Sequence, residues 1–148
     1  MELKDVLKLD CTKSAVLCSS KKRALELISE LAGNQLDQNP QKLFECILSR
    51  EKLGSTGIGN GIAIPHGRIF NSDQAVGVFI QCAEPIEFDA IDNQPVDLLF
   101  ALLVPDEQCK EHLKTLSLIA QKLGDKQLCK RMRNASSDQE LFDIITGE

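Results

Sequence analysis

The chain has 148 residues, of which 43% are hydrophobic and 26% are charged, and this size and composition predict a single globular domain over residues 1–148. Its 17 basic and 22 acidic side chains give a formal net charge of −5. That charge argues against a nucleic-acid-binding protein, because phosphate contacts need a basic face, and it favours an electropositive protein partner. No apolar run approaches the ~20 residues that a membrane span needs. We therefore expect a cytoplasmic protein without membrane insertion.

Two amphipathic helices are the first predicted elements. The stretch Ser20–Leu31 repeats apolar residues at helical spacing, and Gly33 predicts its end. The Asn-Pro pair at 39–40 is typical of a helix start, and this second helix is expected to end near Gly54. Arg50 then lies near its C-terminal end, where a solvated cation offsetting the helix dipole is the ordinary interpretation.

Strands follow the helices. Five glycines between Gly54 and Gly67 surround the short apolar segment Ile62–Ile64, which predicts turns around a short strand. Val76–Gln81 is a second predicted strand. Val96–Val104 is almost continuously apolar, as expected for a strand buried on both faces at the centre of a sheet.

The C-terminal part of the chain predicts helices. A helix with Asp106 as its N-cap should carry an apolar stripe that includes His112 and ends at Gly124, and two shorter helices should follow. The last one opens with Ser137 and Glu140 at the spacing of a capping box. The fold class that follows is α/β: a single-domain sandwich with a mixed, mostly central β-sheet flanked by helices on both faces.

The chain has only two histidines, His66 and His112. His66 follows the strand Ile62–Ile64, and His112 lies within about two turns of the helix that begins where Val96–Val104 ends. If the two strands are parallel, both imidazoles reach the same carboxyl edge of the sheet, where open α/β folds build their sites. A structural, hydrogen-bonded histidine is nevertheless the commoner interpretation of each residue alone.

Several chemistries can be weighed for a pair of imidazoles. A neutral imidazole is a competent nucleophile toward phosphorus, and Thr56, Asn60, loop N–H groups and a second imidazole could donate to the phosphate oxygens. The glycines do not form a nucleotide motif, and a hairpin turn is their commoner explanation. A metal site would be incomplete, since the chain has no HxxxH or CxxC spacing. The six scattered cysteines predict small buried side chains rather than disulfides.

The segment Arg50-Glu-Lys-Leu-Gly-Ser-Thr-Gly-Ile-Gly-Asn-Gly-Ile-Ala-Ile-Pro-His66-Gly67 closely resembles the IIA proteins of the bacterial phosphoenolpyruvate phosphotransferase system. Within them it is most similar to the nitrogen-regulatory branch of the mannitol/fructose-type IIA family. The segments that begin at Ser20, Phe88 and His112 resemble the same branch, so the similarity covers nearly the whole chain. Arg68-Ile-Phe-Asn71 departs from the family pattern, in which lysine and acidic residues are more usual.

This resemblance implies a phosphoryl relay through a phosphohistidine intermediate, in which a histidine phosphocarrier protein is the donor. His66 would be the acceptor, reacting through Nε2, and His112 would donate to the phosphoryl oxygens. Arg50 would contact the phosphate or the partner, and Thr56 and Asn60 would belong to the hydrogen-bond shell of the phosphate. The resemblance implies that no metal or nucleotide cofactor is used. It also implies regulatory target proteins that distinguish the two phosphorylation states. The alternatives are a sugar-specific IIA transport component and a non-catalytic binding module.

Overall fold

The computed structural model describes residues 2–147, in which a first strand is followed by two helices, five strands and three helices. The strands are β1 Leu7–Val16, β2 Gly57–Gly59, β3 Ile62–Ala63, β4 His66–Ile69, β5 Val76–Ile86 and β6 Val96–Pro105. The helices are α1 Lys21–Leu36, α2 Pro40–Glu51, α3 Leu113–Leu123, α4 Lys126–Arg133 and α5 Asp138–Thr146, with 3₁₀ turns at Leu3–Asp5 and Asp106–Gln108.

The sheet is mixed and has β6 near its centre. Its strand order is β1-β5-β6-β3-β2, and β4 also pairs with β6. β6 runs parallel to β3 and β4 and antiparallel to β5, while β1 runs parallel to β5. Every residue of β6 except Asp97 is buried, as its continuous apolar sequence predicted. The predicted fold class, with a mixed central sheet flanked by helices, is confirmed.

The predicted end of α1 was wrong. The helix continues past Gly33 to Leu36, and Asp37 ends it in a left-handed conformation with φ 55°. An interior glycine costs a helix only about 1 kcal/mol. The burial of Ala32 beside it, in the core shared with β1 and β5, favours continuation of the helix.

The predicted start of α3 was also wrong. Asp106 begins a 3₁₀ turn, and the regular helix begins only at Leu113, with His112 at its N-cap position. Leu113 is 63% exposed, whereas Thr115, Ile119 and Leu123 form the buried face of the helix. In α5, Ser137 accepts a hydrogen bond from the Glu140 N–H as predicted, but the Glu140 carboxylate accepts from the N–H of Ser136 rather than from that of Ser137.

All six cysteines lie within the described residues and are free thiols. Cys11, Cys82 and Cys129 are buried, as predicted, whereas Cys18, Cys46 and Cys109 are half-buried. Burial raises the pKa of the Cys11 thiol to about 11 and that of Cys82 to about 12. Between residues 2 and 147, no helix is both long enough and apolar enough to cross a membrane.

Candidate functional site

One cavity of about 790 Å³ is lined by His66, His112 and Arg50. The sheet brings the two histidines together, because β4 pairs with β6 in parallel and places His66 beside Leu102. The chain leaves β6 at Pro105 and reaches His112 within the following turns. Both imidazoles thus lie at the carboxyl edge of β6, as the parallel-strand argument predicted. His66 itself is the first residue of a strand, which the sequence did not indicate.

The tautomer of His66 follows from one hydrogen bond. Its Nδ1 lies 2.9 Å from the carbonyl oxygen of Ile64. A carbonyl can only accept a hydrogen bond, so Nδ1 carries the proton. In the neutral ring the lone pair then belongs to Nε2, which makes Nε2 the nucleophilic atom of this half-buried side chain.

His112 is buried, with 7% of its surface exposed, and hydrogen bonds fix both of its ring nitrogens. Nε2 lies 3.4 Å from Oε1 of Gln108, and Nδ1 lies 3.0 Å from the hydroxyl oxygen of Thr115. The Gln108 amide nitrogen donates to the carbonyl of Asp73, 3.0 Å away, so the amide oxygen is the atom that faces His112. His112 therefore carries its proton on Nε2 and accepts from Thr115 at Nδ1.

The wall of the cavity is basic although the chain as a whole is acidic. Among the residues the structure describes, Lys42, Arg50 and Arg68 line it together with the carboxylate of Glu45, and Arg68 also pairs with Asp106 at 3.5 Å. Arg50 lies in the last turn of α2, as predicted, and its Nη1 donates to the carbonyl of Gly54 at 2.8 Å. This charge balance suits an anion.

Gly67 allows α2 to approach β4 closely. A Cβ atom on this residue would lie 3.0 Å from the carbonyl oxygen of Cys46 and 3.1 Å from the carbonyl carbon, both in the backbone of α2. Contacts between α2 and β4 follow from this approach. They place the C-terminal turn of α2, which carries Arg50, over the cavity that His66 lines.

Exposed apolar side chains surround the cavity. Leu53, Phe70 and Leu113 line it while remaining 83%, 63% and 63% exposed. Large apolar side chains that cluster on a surface are typical of protein-binding sites. We call these three residues the apolar rim.

Thr56 does not line this cavity. It is buried, and both its N–H and its hydroxyl donate to the carboxylate of Glu51, with the N–H 3.1 Å from Oε1. The same carboxylate pairs with the Lys21 ammonium at 2.8 Å. Thr56 therefore belongs to a buried network at the end of α2, and the structure does not bring it to the histidines.

Asn60 lies at the other end of the sheet. Asn60 and Gly61 both have positive φ, 59° and 80°, and form the two-residue turn between β2 and β3. The Asn60 N–H donates to Asp92 at 3.0 Å, and the Asn60 carbonyl accepts from Arg133 at 2.9 Å. The glycine-rich segment is thus a hairpin, the commoner of its two explanations, and its turn lies beside Asp97 at the start of β6.

Two residues that contact His112 were not predicted from the sequence. Gln108 and Thr115 lie four positions before and three positions after the histidine, a spacing that brings side chains together on helical turns. That spacing is the signal that could have identified them. As for metals, within residues 2–147 no group of three or more His, Cys, Asp or Glu side chains could hold a metal ion.

These features define a small α/β protein with two histidines in one basic, apolar-rimmed cavity. Residues 5–147 match the family described as phosphoenolpyruvate-dependent sugar phosphotransferase system, EIIA 2, and the chain belongs to that family.

The chain is 64% identical over 147 residues to the nitrogen regulatory protein of Escherichia coli (strain K12), a match that covers 99% of this chain and 90% of the relative. Among solved structures, the nitrogen regulatory protein IIA-Ntr from Neisseria meningitidis is similar with a TM-score of 0.92 and 41% identity, covering 97% of this chain and 99% of that one. IIA mannitol from Escherichia coli shares the fold with a TM-score of 0.73 at 19% identity, over 98% of each chain.

Proposed function

We propose that this chain is a phosphoryl-relay regulatory protein that accepts a phosphoryl group on His66 from a histidine phosphocarrier protein. The observation that carries the proposal is the hydrogen bond from Nδ1 of His66 to the Ile64 carbonyl, because it leaves Nε2 with the lone pair. The basic cavity wall adds to the argument, since the incoming group is anionic.

The transfer forms a bond between phosphorus and Nε2 of His66 and breaks the phosphorus–nitrogen bond of the carrier's phosphohistidine. The electron pair of the broken bond stays on the carrier's imidazole. His112, through its Nε2–H, and Arg50 donate to the phosphoryl oxygens as charge gathers on them. Such a transfer depends on in-line positioning and charge stabilisation, which the chain's own side chains supply without a metal or nucleotide.

The regulatory role rests on the 64% identity to the Escherichia coli nitrogen regulatory protein. A single domain carries this role, and it does so in the cytoplasm, where phosphoenolpyruvate is available. The phosphorylated and unphosphorylated forms bind different target proteins. The carrier docks on the apolar rim of Leu53, Phe70 and Leu113. The net charge of −5 raises the encounter rate with a basic carrier surface more than it raises affinity.

Incubation with phosphoenolpyruvate, the first enzyme of the system and the carrier protein tests the proposal. Intact mass spectrometry should show an acid-labile adduct of one phosphoryl group on the wild type and none on His66→Ala. His112→Gln should still be phosphorylated, but more slowly. A wild type that stays unmodified while the same carrier phosphorylates a known recipient contradicts the proposal. That result would favour the alternative of a non-catalytic binding module whose histidines are structural.

A sugar-specific IIA component is the second candidate, because the family description names a sugar phosphotransferase system. The test is to offer the phosphorylated chain a fructose- or mannitol-type IIB protein. Rapid transfer to IIB would favour transport, whereas retention of the phosphoryl group favours the regulatory role.

A further inference from the structure

The Gln108 side chain joins His112 to a surface segment that is distant in sequence. Its Oε1 accepts from His112 Nε2 at 3.4 Å, and its Nε2 donates to the carbonyl of Asp73 at 3.0 Å. Asp73 lies in the connection between β4 and β5, 35 positions earlier in the chain. One half-buried amide thus contacts both the candidate site and an exposed connection.

The connection itself, residues 71–75, is held by two glutamines. Gln38 donates to the carbonyl of Asn71 at 2.9 Å, and Gln108 donates to that of Asp73. The segment directly follows Phe70 of the apolar rim, and Asn71, Asp73 and Gln74 are exposed. A partner that binds at the rim therefore meets residues 71–75 as well.

His112 cannot donate a full hydrogen bond to Gln108 and to a phosphoryl group at the same time. Its Nδ1 accepts from Thr115, so Nε2–H is the only N–H that its neutral ring has to donate. Anionic phosphoryl oxygens are stronger acceptors than the neutral amide oxygen of Gln108. When His112 donates to a phosphoryl group on His66, Gln108 loses one of its two bonds.

We propose that Gln108 transmits the phosphorylation state of His66, through His112, to residues 71–75. This proposal rests on the proposed function and adds to it the route by which the modification becomes readable at the surface. In the unphosphorylated state Gln108 is fixed at both ends and holds Asp73. In the phosphorylated state it is fixed at one end only, and residues 71–75 open more often.

Hydrogen exchange followed by NMR tests the proposal on the full chain with and without phosphorylation. In the wild type, phosphorylation should speed exchange of the Gln74 amide, whose N–H donates to the Ser72 hydroxyl within the segment, by roughly two- to tenfold, the effect of weakening one hydrogen bond. In Gln108→Leu, exchange should be fast in both states and should not change further on phosphorylation. The shorter amide of Gln108→Asn, which cannot span both partners, should behave in the same way.

Gln38→Leu is the matched control, because it removes the other glutamine that holds the segment. Exchange in 71–75 should be faster in both states, yet the phosphorylation-dependent increment should remain. A complete adduct without any change of exchange in the wild type overturns the relay and leaves the proposed function intact. So does an increment that persists in Gln108→Leu. Failure of the wild type to form the adduct overturns both proposals.

Discussion

The close approach at Gly67 leads to a quantitative prediction for Gly67→Ala. The added Cβ would lie 3.0 Å from the carbonyl oxygen of Cys46, 3.1 Å from its carbonyl carbon and 3.4 Å from the nitrogen of Ile47. All three atoms are backbone atoms within α2, so no side chain can turn away to make room. The helix as a whole must shift by a few tenths of an ångström.

Overpacking of this kind costs about 1–3 kcal/mol. For a chain of this length each kcal/mol lowers Tm by about 2–4 °C, so we expect Gly67→Ala to melt roughly 4–8 °C below the wild type for a cost of about 2 kcal/mol. The shift also changes the position of Arg50, one turn beyond Cys46 on α2, relative to His66. Phosphoryl acceptance should therefore slow by about tenfold.

Calorimetry measures Tm, and rapid-quench phosphorylation measures the rate. Cys46→Ala combined with Gly67→Ala is the control: because the clash is with the backbone of residue 46, removing the thiol should not restore stability. A Gly67→Ala protein that melts at or above the wild-type Tm would refute the reasoning. So would full rescue by the second substitution.

Three further outcomes are expected. Thr115→Val should lower the free energy of unfolding in urea by about 1–3 kcal/mol, because it leaves Nδ1 of the buried His112 unpaired. Cys82 should resist iodoacetamide at pH 8 in the native protein, as mass spectrometry will show, because burial raises its pKa to about 12 and keeps it protonated. The Asn60 N–H lowers the pKa of Asp92, so ionised Asp92 stabilises the fold at neutral pH, and this stabilisation disappears as the pH falls through the lowered pKa. Asp92→Asn should therefore be less stable than the wild type at pH 7, and the difference should shrink toward acid pH.

Each of these outcomes has a result that would contradict it. Thr115→Ser keeps a hydroxyl, so equal losses for Ser and Val would argue against the hydrogen bond. Labelling of Cys82 as fast as that of an unfolded sample would contradict its burial. A constant stability difference between Asp92→Asn and the wild type at every pH would contradict the role of the ionised carboxylate.

The elements that the sequence predicted correctly are those whose own residues determine their structure, through an apolar pattern or a helix-start signal. β6 is apolar throughout and lies at the centre of the sheet, and the Pro40 start of α2 is where the sequence predicted it. The two histidines were expected at one edge of the sheet if the strands before them run parallel, and β3 and β6 do run parallel. The common edge of the two histidines thus followed from the sequence once parallel strands were assumed, whereas the orientation of the strands did not follow from it.

β1 was not predicted, and its geometry gives the reason. Ala15 has φ 50°, and the register with β5 shifts twice along the strand, so exposure does not alternate along it. His66 was expected in a turn because the glycines around the short strand Ile62–Ile64 predicted turns on either side of it. It lies in a strand because pairing with β6, which is distant in sequence, decides its conformation.

The contact of Gln108 with the Asp73 carbonyl joins residues 35 positions apart, so it depends on how the 3₁₀ turn packs against the connection between β4 and β5, and no local spacing encodes it.

The hydrogen bond from His66 to the Ile64 carbonyl also determines at which stage the entropy of the His66 side chain is lost. The backbone of His66 is fixed by pairing with β6, and its ring is fixed by the carbonyl two residues earlier. The rotational freedom of this side chain is therefore given up when the chain folds, and none is left to lose on encounter. Any adjustment that a partner requires falls on the partner itself or on the exposed connection beside Phe70, so Nε2 of His66 presents the same geometry to every protein that contacts it.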